Sequence, residues 1–185
     1  MNQANHLSFA HACWSELVQP DDLVIDATCG NGHDTLFLAK IARTVYSIDI
    51  QSAAIESAKQ LLDASSIAKV KFILGSHEVF PAEITPESVT LIVYNLGYLP
   101  GGDKTKTTMT GSTLTSIQNA QKLLKKGGVM SITCYPGHVE GKREEDAILA
   151  YCSQLNPREW TCCHHRWINR NQAPSLFILL KDVYH

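Results

Sequence analysis

The chain has 185 residues, of which 44% are hydrophobic and 18% charged, and its formal net charge at pH 7 is −2. This balance is typical of a globular domain, and it excludes a disordered chain and a basic field over the whole surface. An RNA substrate would therefore have to be held by a local basic patch. No apolar run reaches the roughly 18 residues that span a membrane, so we expect no membrane segment.

The length predicts one domain over residues 1–185, large enough to bury a core without disulfides. The first 11 residues lack the pattern of a signal or transit peptide, which predicts a cytoplasmic protein. Six cysteines include no C-x-x-C pair, so we interpret them as small apolar residues. The Cys-Cys-His-His run at 162–165 is predicted to lie on a strand, where neighbours face opposite sides, and we expect no metal site there.

Short apolar runs alternate with helical stretches along the chain. They follow a leading helix, predicted within residues 1–18, that lies against the sheet or covers the site. Strands are predicted, in chain order, at 23–27, 44–48, 70–74, 89–94, 129–134, 160–168 and 176–183. Helices are predicted at 33–42, 52–64, 114–124 (closed by Gly127 and Gly128) and 144–155. The alternation predicts an α/β fold with helices on both faces of a mostly parallel, seven-stranded sheet. Ligands of such sheets bind at the carboxyl ends of the strands.

The first predicted strand runs into a glycine turn, D-A-T-C-G-N-G, which begins at Asp26. Gly30 and Gly32 allow a tight turn and a close approach of the backbone to a ligand. A dinucleotide-binding turn needs G-x-G-x-x-G, whereas the third of these positions is Thr35 here. The pattern D-x-x-x-G-x-G is instead that of S-adenosylmethionine methyltransferases. The alternative is a turn that only connects a strand to a helix.

The charges of S-adenosylmethionine agree with the side chains near this turn. The molecule carries an ammonium and a sulfonium but no phosphate, so carboxylates such as Asp26 and Asp34 suit it. Asp49 closes the second predicted strand, where a carboxylate can accept both ribose hydroxyls. His77 ends the third strand, where we expect the adenine. The predicted cofactor-binding set is Asp26, Gly30, Asn31, Gly32, Asp34, Thr35, Asp49, Gln51, Ser76 and His77.

The fourth predicted strand ends in Asn95, and the segment N-L-G-Y-L-P that starts there has the outline of an N-P-P-Y motif. That motif belongs to methyltransferases that act on exocyclic amino groups. The Asn95 oxygen and a backbone carbonyl can accept the two N–H bonds of an attacking amine and so aim its lone pair. Positioning is then expected to supply most of the catalysis. Tyr98 is predicted to stack on a base or line the pocket, the alternative being a strand-ending turn with Tyr98 in the core.

Further candidates lie in loops beyond the strands. Asp103 is a secondary catalytic candidate, and Lys104 and Lys106 could reach phosphate from the same loop. His138 follows the fifth strand, where it either contacts the substrate, relays a proton or stabilises the turn. Arg166 belongs to a stretch rich in arginine, histidine and tryptophan that we interpret as an RNA-facing edge.

A set of motifs runs in order along nearly the whole chain: D-A-T at Asp26, G-N-G-H-D-T at Gly30, D-I-Q at Asp49, S-H at Ser76, N-L-G-Y-L-P-G-G-D-K at Asn95, Y-P-G-H at Tyr135 and N-Q at Asn171. In these motifs the chain resembles a family of rRNA methylase-like proteins that includes the MnmM (YtqB) tRNA methyltransferases. The ten-residue segment at Asn95 is the most specific of them. Lys142, after Gly141, departs from the second glycine expected in the family.

The resemblance implies a class I, Rossmann-like methyltransferase fold whose last strand is antiparallel, with S-adenosylmethionine as the cofactor. It implies tRNA, through its anticodon loop, as the partner. The implied acceptor is the primary amine of 5-aminomethyl-2-thiouridine at the wobble position. Alternatives stay open at this point: a base amine of rRNA or DNA, a protein side-chain amide, a nicotinamide-dependent oxidoreductase, or an RNA-binding module without activity. A homodimer is compatible with the sequence, although no feature requires it.

Overall fold

A computed structural model describes residues 6–97 and 108–182. The helices are α1 (His6–Leu17), α2 (His33–Ile41), α3 (Ser52–Leu61), α4 (Ala64–Ile67), α5 (Thr110–Leu123) and α6 (Val139–Cys152). The strands are β1 (Leu23–Asp26), β2 (Thr44–Asp49), β3 (Val70–Leu74), β4 (Val89–Asn95), β5 (Leu124–Cys134), β6 (Trp160–His165) and β7 (Ser175–Lys181). Four predicted site residues lie outside the described residues: Tyr98, Asp103, Lys104 and Lys106.

All seven strands join one sheet in the order β3-β2-β1-β4-β5-β7-β6. The pairs among β1 to β5 are parallel, whereas β7 runs antiparallel to both of its neighbours, β5 and β6. The prediction of a mostly parallel, seven-stranded sheet with an antiparallel last strand is confirmed. Because the first five strands run in the same direction, their carboxyl ends meet at one edge of the sheet.

The central strand β4 shows why helices cover both faces. Its alternate side chains point to opposite sides, as the period of a strand requires. Leu91 and Val93 pack with Trp14 of α1 in one buried cluster. On the other face, Ile92 packs with Ile117 of α5 in a second buried cluster. The fully buried strand therefore has helices on both faces of the sheet.

No helix of the described residues is long and apolar enough to cross a bilayer.

The boundary between α5 and β5 differs from the prediction. The helix was expected to end at residue 124 and to be closed by glycines, yet it ends at Leu123, and β5 already contains Gly127 and Gly128. A Cβ on Gly128 would lie 2.8 Å from the carbonyl oxygen of Lys125 and 3.0 Å from that of Val89. This glycine is required by the close approach of β5 to β4, and not by a helix cap.

Helix α6 begins at Val139, five residues before the predicted start at 144. The ring nitrogen Nδ1 of His138 accepts a hydrogen bond from the backbone N–H of Gly141 at 3.1 Å, so His138 is the N-cap of the helix. Histidine is not among the residues that usually mark a helix start. The polar Glu144 also occupies the buried face of the first turns, which hides the apolar period there.

Gly32 is a position where an added methyl group cannot be accommodated. Its φ is +85°, and a Cβ would lie 2.6 Å from both Cα and Cβ of Ala58 on α3. We expect Gly32→Ala to lower the free energy of unfolding by about 2–4 kcal/mol, through overpacking and the left-handed backbone. Urea denaturation measures this loss. Gly111→Ala is the control, because nothing lies within 4 Å of its Cβ position, and an equal loss in both variants would contradict the steric argument.

Candidate active site

A cavity of about 790 Å³ opens where the carboxyl ends of the parallel strands meet. It is lined by residues that directly follow these strands, among them Thr28 after β1, Ser76 after β3 and Tyr135 after β5. Leu7 of α1 contributes from the opposite side. The volume lies within the roughly 300–1,000 Å³ of ligand-binding cavities, and the position is the one expected for an open α/β sheet.

Seven residues of the predicted cofactor-binding set line this cavity: Gly30, Asn31, Asp34, Asp49, Gln51, Ser76 and His77. Asp26, Gly32 and Thr35 are not among its lining residues. The side chain of Asp26 is fully buried and accepts hydrogen bonds from the Thr35 hydroxyl at 2.5 Å and from the backbone N–H of Thr28 at 3.2 Å. Asp26 and Thr35 therefore stabilise the glycine turn, and their direct contact with the cofactor stays a prediction, since neither residue lines the cavity.

The buried carboxyl group of Asp26 makes stability depend on pH. Burial raises its pKa from 3.8 to about 7, and the negative charges of Asp34 and Asp49 add to the effect. Between these two pH values the folded chain binds a proton that the unfolded chain has released. Stability should therefore fall as the pH rises from about 4 to about 7.

We expect Asp26→Asn to remove much of this fall, because the variant has no carboxyl group to ionise. The shift of roughly three pKa units corresponds to about 4 kcal/mol at most. Urea denaturation at pH 5 and pH 8, carried out on both proteins, measures the difference. Other titrating groups contribute equally to both proteins, so parallel pH profiles would contradict the assignment.

Asp49 binds two backbone N–H groups at the cofactor side of the cavity. One carboxylate oxygen accepts from Gly30 and the other accepts from Gln51, each at 2.9 Å. Each oxygen has a further lone pair, so a carboxylate fixed in this way can also accept the two hydroxyls of a ribose. Asp49 thus ties the glycine turn to the end of β2 and orients an acceptor for a nucleoside.

His77 is held nearby as a neutral ring. Burial lowers its pKa, which favours the uncharged imidazole. The ring packs edge-on against Tyr94 with 5.9 Å between centroids. The backbone carbonyl oxygen of His77 accepts a hydrogen bond from the Ser116 hydroxyl at 2.7 Å. An uncharged ring at this position suits an adenine, which is itself neutral.

The charges of the cavity distinguish between nucleotide-like ligands. The described lining residues include the carboxylates of Asp34, Asp49 and Glu78 but no lysine or arginine. A phosphate-bearing dinucleotide would meet only like charges there, whereas a ligand with a sulfonium and an ammonium would meet opposite ones. The charges of the described lining residues therefore fit S-adenosylmethionine.

Asn95, at the end of β4, has an amide whose orientation is fixed by its partners. Its Nδ2 donates to Asp34, and because a carboxylate only accepts hydrogen bonds, this contact determines which amide atom is the nitrogen. Its Oδ1 lies 3.4 Å from the hydroxyl of Tyr135, which donates to it. Burial raises the pKa of Tyr135 to about 12, so the hydroxyl remains protonated. The amide oxygen is thus held as an acceptor inside the cavity.

Helix α1 supplies the partners behind this amide. Nε2 of His11 lies 2.7 Å from Oδ1 of Asp34, and its ring stacks on Phe37 with 4.0 Å between centroids. Nε2 of His6 lies 3.1 Å from the hydroxyl of Tyr135. The sequence interpretation missed His6 and His11, and it placed Tyr135 in a motif but not in the site. The leading helix was expected to lie against the sheet or to cover the site, and Leu7 of α1 lines the cavity.

Thr108 and Glu144 organise the wall beyond Asn95. The backbone N–H of Gly97 donates to the Thr108 hydroxyl at 2.8 Å, and that of Thr108 donates to the Gly97 carbonyl at 3.0 Å. The Thr108 hydroxyl in turn donates to the buried carboxylate of Glu144 at 2.7 Å. The two residues that flank segment 98–107 are therefore joined to each other and to α6. The sequence interpretation did not single out Thr108 or Glu144.

The structure places the two other predicted residues, His138 and Arg166, differently. His138 lines the cavity and caps α6, so the structural role left open for it is observed, while a catalytic role stays a prediction. Arg166 does not line this cavity but a neighbouring one of about 630 Å³. The predicted RNA contact of Arg166 is thus separated from the cofactor residues.

Comparison with known proteins places this site in a family. The chain matches the family described as "Putative rRNA methylase" over residues 45–181. A crystal structure of a "putative rRNA-methylase" from Clostridium thermocellum superposes with a TM-score of 0.92 at 32% identity, covering 98% of this chain and 100% of that one. The chain belongs to this rRNA methylase family.

Two further relatives describe the chemistry of the family. The chloroplastic tRNA (mnm(5)s(2)U34)-methyltransferase of Arabidopsis thaliana is 40% identical over 93% of this chain and 68% of its own length. A "putative methyltransferase" from Streptococcus mutans, solved "in complex with SAH", has a TM-score of 0.88 at 31% identity, covering 96% of this chain and 98% of that one. As a family member with this fold, the chain is an S-adenosylmethionine-dependent methyltransferase, and the predicted cofactor is confirmed.

Proposed function

We propose that the chain methylates the amino nitrogen of 5-aminomethyl-2-thiouridine at the wobble position of tRNA. The observation that carries this proposal is the fixed amide of Asn95, whose oxygen accepts inside a cavity that also fits the cofactor. An acceptor at this place suits a nitrogen nucleophile that brings its own N–H bonds. The relative from Arabidopsis supports the same substrate, because its name specifies mnm(5)s(2)U34, the nucleoside that this methylation would produce at the wobble position of tRNA.

The acceptor amine must be neutral before it can react. A primary aliphatic amine has a pKa near 10.4 in water, so its nitrogen carries a proton at neutral pH. Transfer into a closed cavity, next to the positive charge of the bound cofactor, favours the neutral form. The Asn95 oxygen and the backbone carbonyl of Leu96, which also lines the cavity, would each accept one N–H bond and direct the lone pair.

The transfer itself is an in-line displacement in which positioning supplies most of the rate. S-adenosylmethionine supplies a methyl group already activated by its sulfonium. The amine nitrogen forms a bond to the methyl carbon while the carbon–sulfur bond breaks, and its electron pair stays on sulfur. The acceptor ammonium releases one proton to solvent before the transfer, and the product leaves as a methylated ammonium. Asn95, held by Asp34 and Tyr135, keeps the nitrogen in line throughout.

The finer features of the partner belong to the same proposal. Within it, the tRNA enters through its anticodon loop, because the wobble nucleoside lies there. Activity as a homodimer and a location in the cytoplasm remain predictions from the sequence.

The proposal is tested by comparing the modified nucleosides of tRNA, by mass spectrometry, in cells with and without the gene. We expect cells without the gene to accumulate unmethylated 5-aminomethyl-2-thiouridine. Purified protein with S-adenosylmethionine should convert this nucleoside in their tRNA. Ribosomal RNA from the same cells serves as the second acceptor, and methyl transfer to it but not to tRNA would overturn the proposed substrate.

A further inference from the structure

A second cavity of about 630 Å³ adjoins the active site on the side away from the cofactor residues. The two cavities share Gly137, His138 and Gln172 in their linings, so the same residues form the wall between them. Most of its other lining residues come from the first turns of α6 and from the loop between β6 and β7. A ligand that fills the active site can therefore continue directly into it.

The net charge of this second cavity is opposite to that of the active site, because its cationic side chains outnumber the carboxylates of Glu145 and Asp146 in the same lining. Four cationic side chains line it: Lys142, Arg143, Arg166 and Arg170. Lys142 is paired with Glu145 at 3.0 Å and with Asp146 at 2.7 Å. Arg166 and Arg170 are exposed, and neither forms an ion pair with a carboxylate of residues 6–97 or 108–182. Two arginines at a cavity wall without acidic partners are suited to phosphate oxygens.

An aromatic surface lies beside these arginines. The guanidinium carbon of Arg170 lies 5.2 Å from the ring centroid of Trp167. The ring of His165 meets Trp167 edge-on at 5.0 Å and an angle of 85°, which fixes the orientation of the indole. Half-buried tryptophan and arginine planes are the surfaces on which proteins stack unpaired bases.

Gln172, in the shared wall, has a strained backbone. Its φ is +55°, in the left-handed region that favours glycine. Such strain persists where the surrounding structure requires it and is concentrated at binding sites. The conformation places a side chain with both donor and acceptor atoms between the two cavities.

We propose that the second cavity binds the RNA nucleotide adjacent to the methylated one, with its base stacked on Trp167 and its phosphate held by Arg166 and Arg170. This proposal rests on the proposed function, because it takes the active-site ligand to be one nucleotide of an RNA strand. The opposite charges of the two cavities support it. The carboxylates in the described lining of the cofactor side disfavour phosphate, so the basic cavity is the more favourable path for the backbone of a bound strand.

The test measures binding of a labelled anticodon stem-loop RNA by fluorescence anisotropy in the presence of S-adenosylhomocysteine. We expect Trp167→Ala to weaken binding about tenfold through the loss of one stacked base, and Trp167→Phe to restore most of it. We expect the double variant Arg166→Ala/Arg170→Ala to weaken binding and to lower the slope of log K against log salt by about 1.4, for two lost phosphate contacts. Trp167→Ala should leave that slope unchanged.

Arg158→Ala is the matched control, because Arg158 is exposed and lines neither cavity. RNA affinities of the Trp167 and arginine variants equal to that of the control would overturn the proposal. Calorimetry with S-adenosylhomocysteine should give unchanged affinity in every variant, and a parallel loss there would also overturn it. If the variants lose RNA affinity while the wild type methylates no tRNA, the proposed function fails and the nucleotide site stands.

Discussion

Replacing Asn95 with alanine should lower the turnover number on tRNA by about 100-fold or more, because the amine would lose the acceptor that aims its lone pair. The affinity for S-adenosylhomocysteine should stay within about threefold of the wild type, since the lost interaction belongs to the acceptor and its reaction. The side chain contacts Asp34 and Tyr135. Single-turnover methylation and calorimetry measure the two quantities separately.

Asn156→Ala is the control for this experiment. Asn156 is exposed and hydrogen-bonds only near its own turn, to Glu159 and to the backbone of Arg158. We expect its turnover number to equal that of the wild type. An Asn95→Ala enzyme that keeps its rate would show that the amide does not position the amine, and the proposed mechanism would then be wrong.

Replacing Asp49 should weaken the binding of the cofactor, whereas replacing Asn95 should slow the methyl transfer. We expect Asp49→Ala to weaken the affinity for S-adenosylhomocysteine about 30-fold or more, since hydrogen bonds to a charged acceptor contribute roughly 1.5–3 kcal/mol each. Saturating cofactor should recover most of the turnover. Isothermal titration calorimetry measures the affinity, and an unchanged value would remove the ribose contact from the site.

Because Asp49 also binds the backbone of Gly30 and Gln51, a second variant separates binding from folding. Asp49→Asn keeps one acceptor for the backbone but loses the charge. We expect it to lie between Asp49→Ala and the wild type in cofactor affinity. Its thermal unfolding midpoint should also lie between those two, since only one of the two backbone N–H groups loses its acceptor. Asp21→Ala, at an exposed carboxylate outside the cavity, controls for a change of net charge.

The parts of the fold that were predictable are those that local pattern determines. Strand β4 is buried on both sides, and its unbroken apolar run identified it to within one residue. The start of β5 was not predictable, because Gly128 is confined by the carbonyl of Lys125 and also by that of Val89 on the neighbouring strand. A contact between distant segments leaves no periodic trace in either of them.

The candidate site divides in the same way. Residues that follow a strand, such as Asp49 and Asn95, could be predicted, since parallel strands bring their carboxyl ends together. Asp26 was assigned to the lining because the sequence does not tell a buried carboxylate from one that faces the cavity. His6 and its partner Tyr135 are 129 positions apart, and only the packed fold brings them together.

Helix α1 makes the chemistry depend on a distant part of the chain. One face of this helix, with Ala10 and Trp14, is buried in the core. His11 hydrogen-bonds to Asp34, which in turn accepts a hydrogen bond from the amide of Asn95. Undocking of the helix would release that amide from its orientation. Thermodynamic linkage makes the effect reciprocal: a ligand that requires the fixed amide must also tighten the docking of α1. Mutations on the buried side of this helix should therefore alter turnover without touching either substrate.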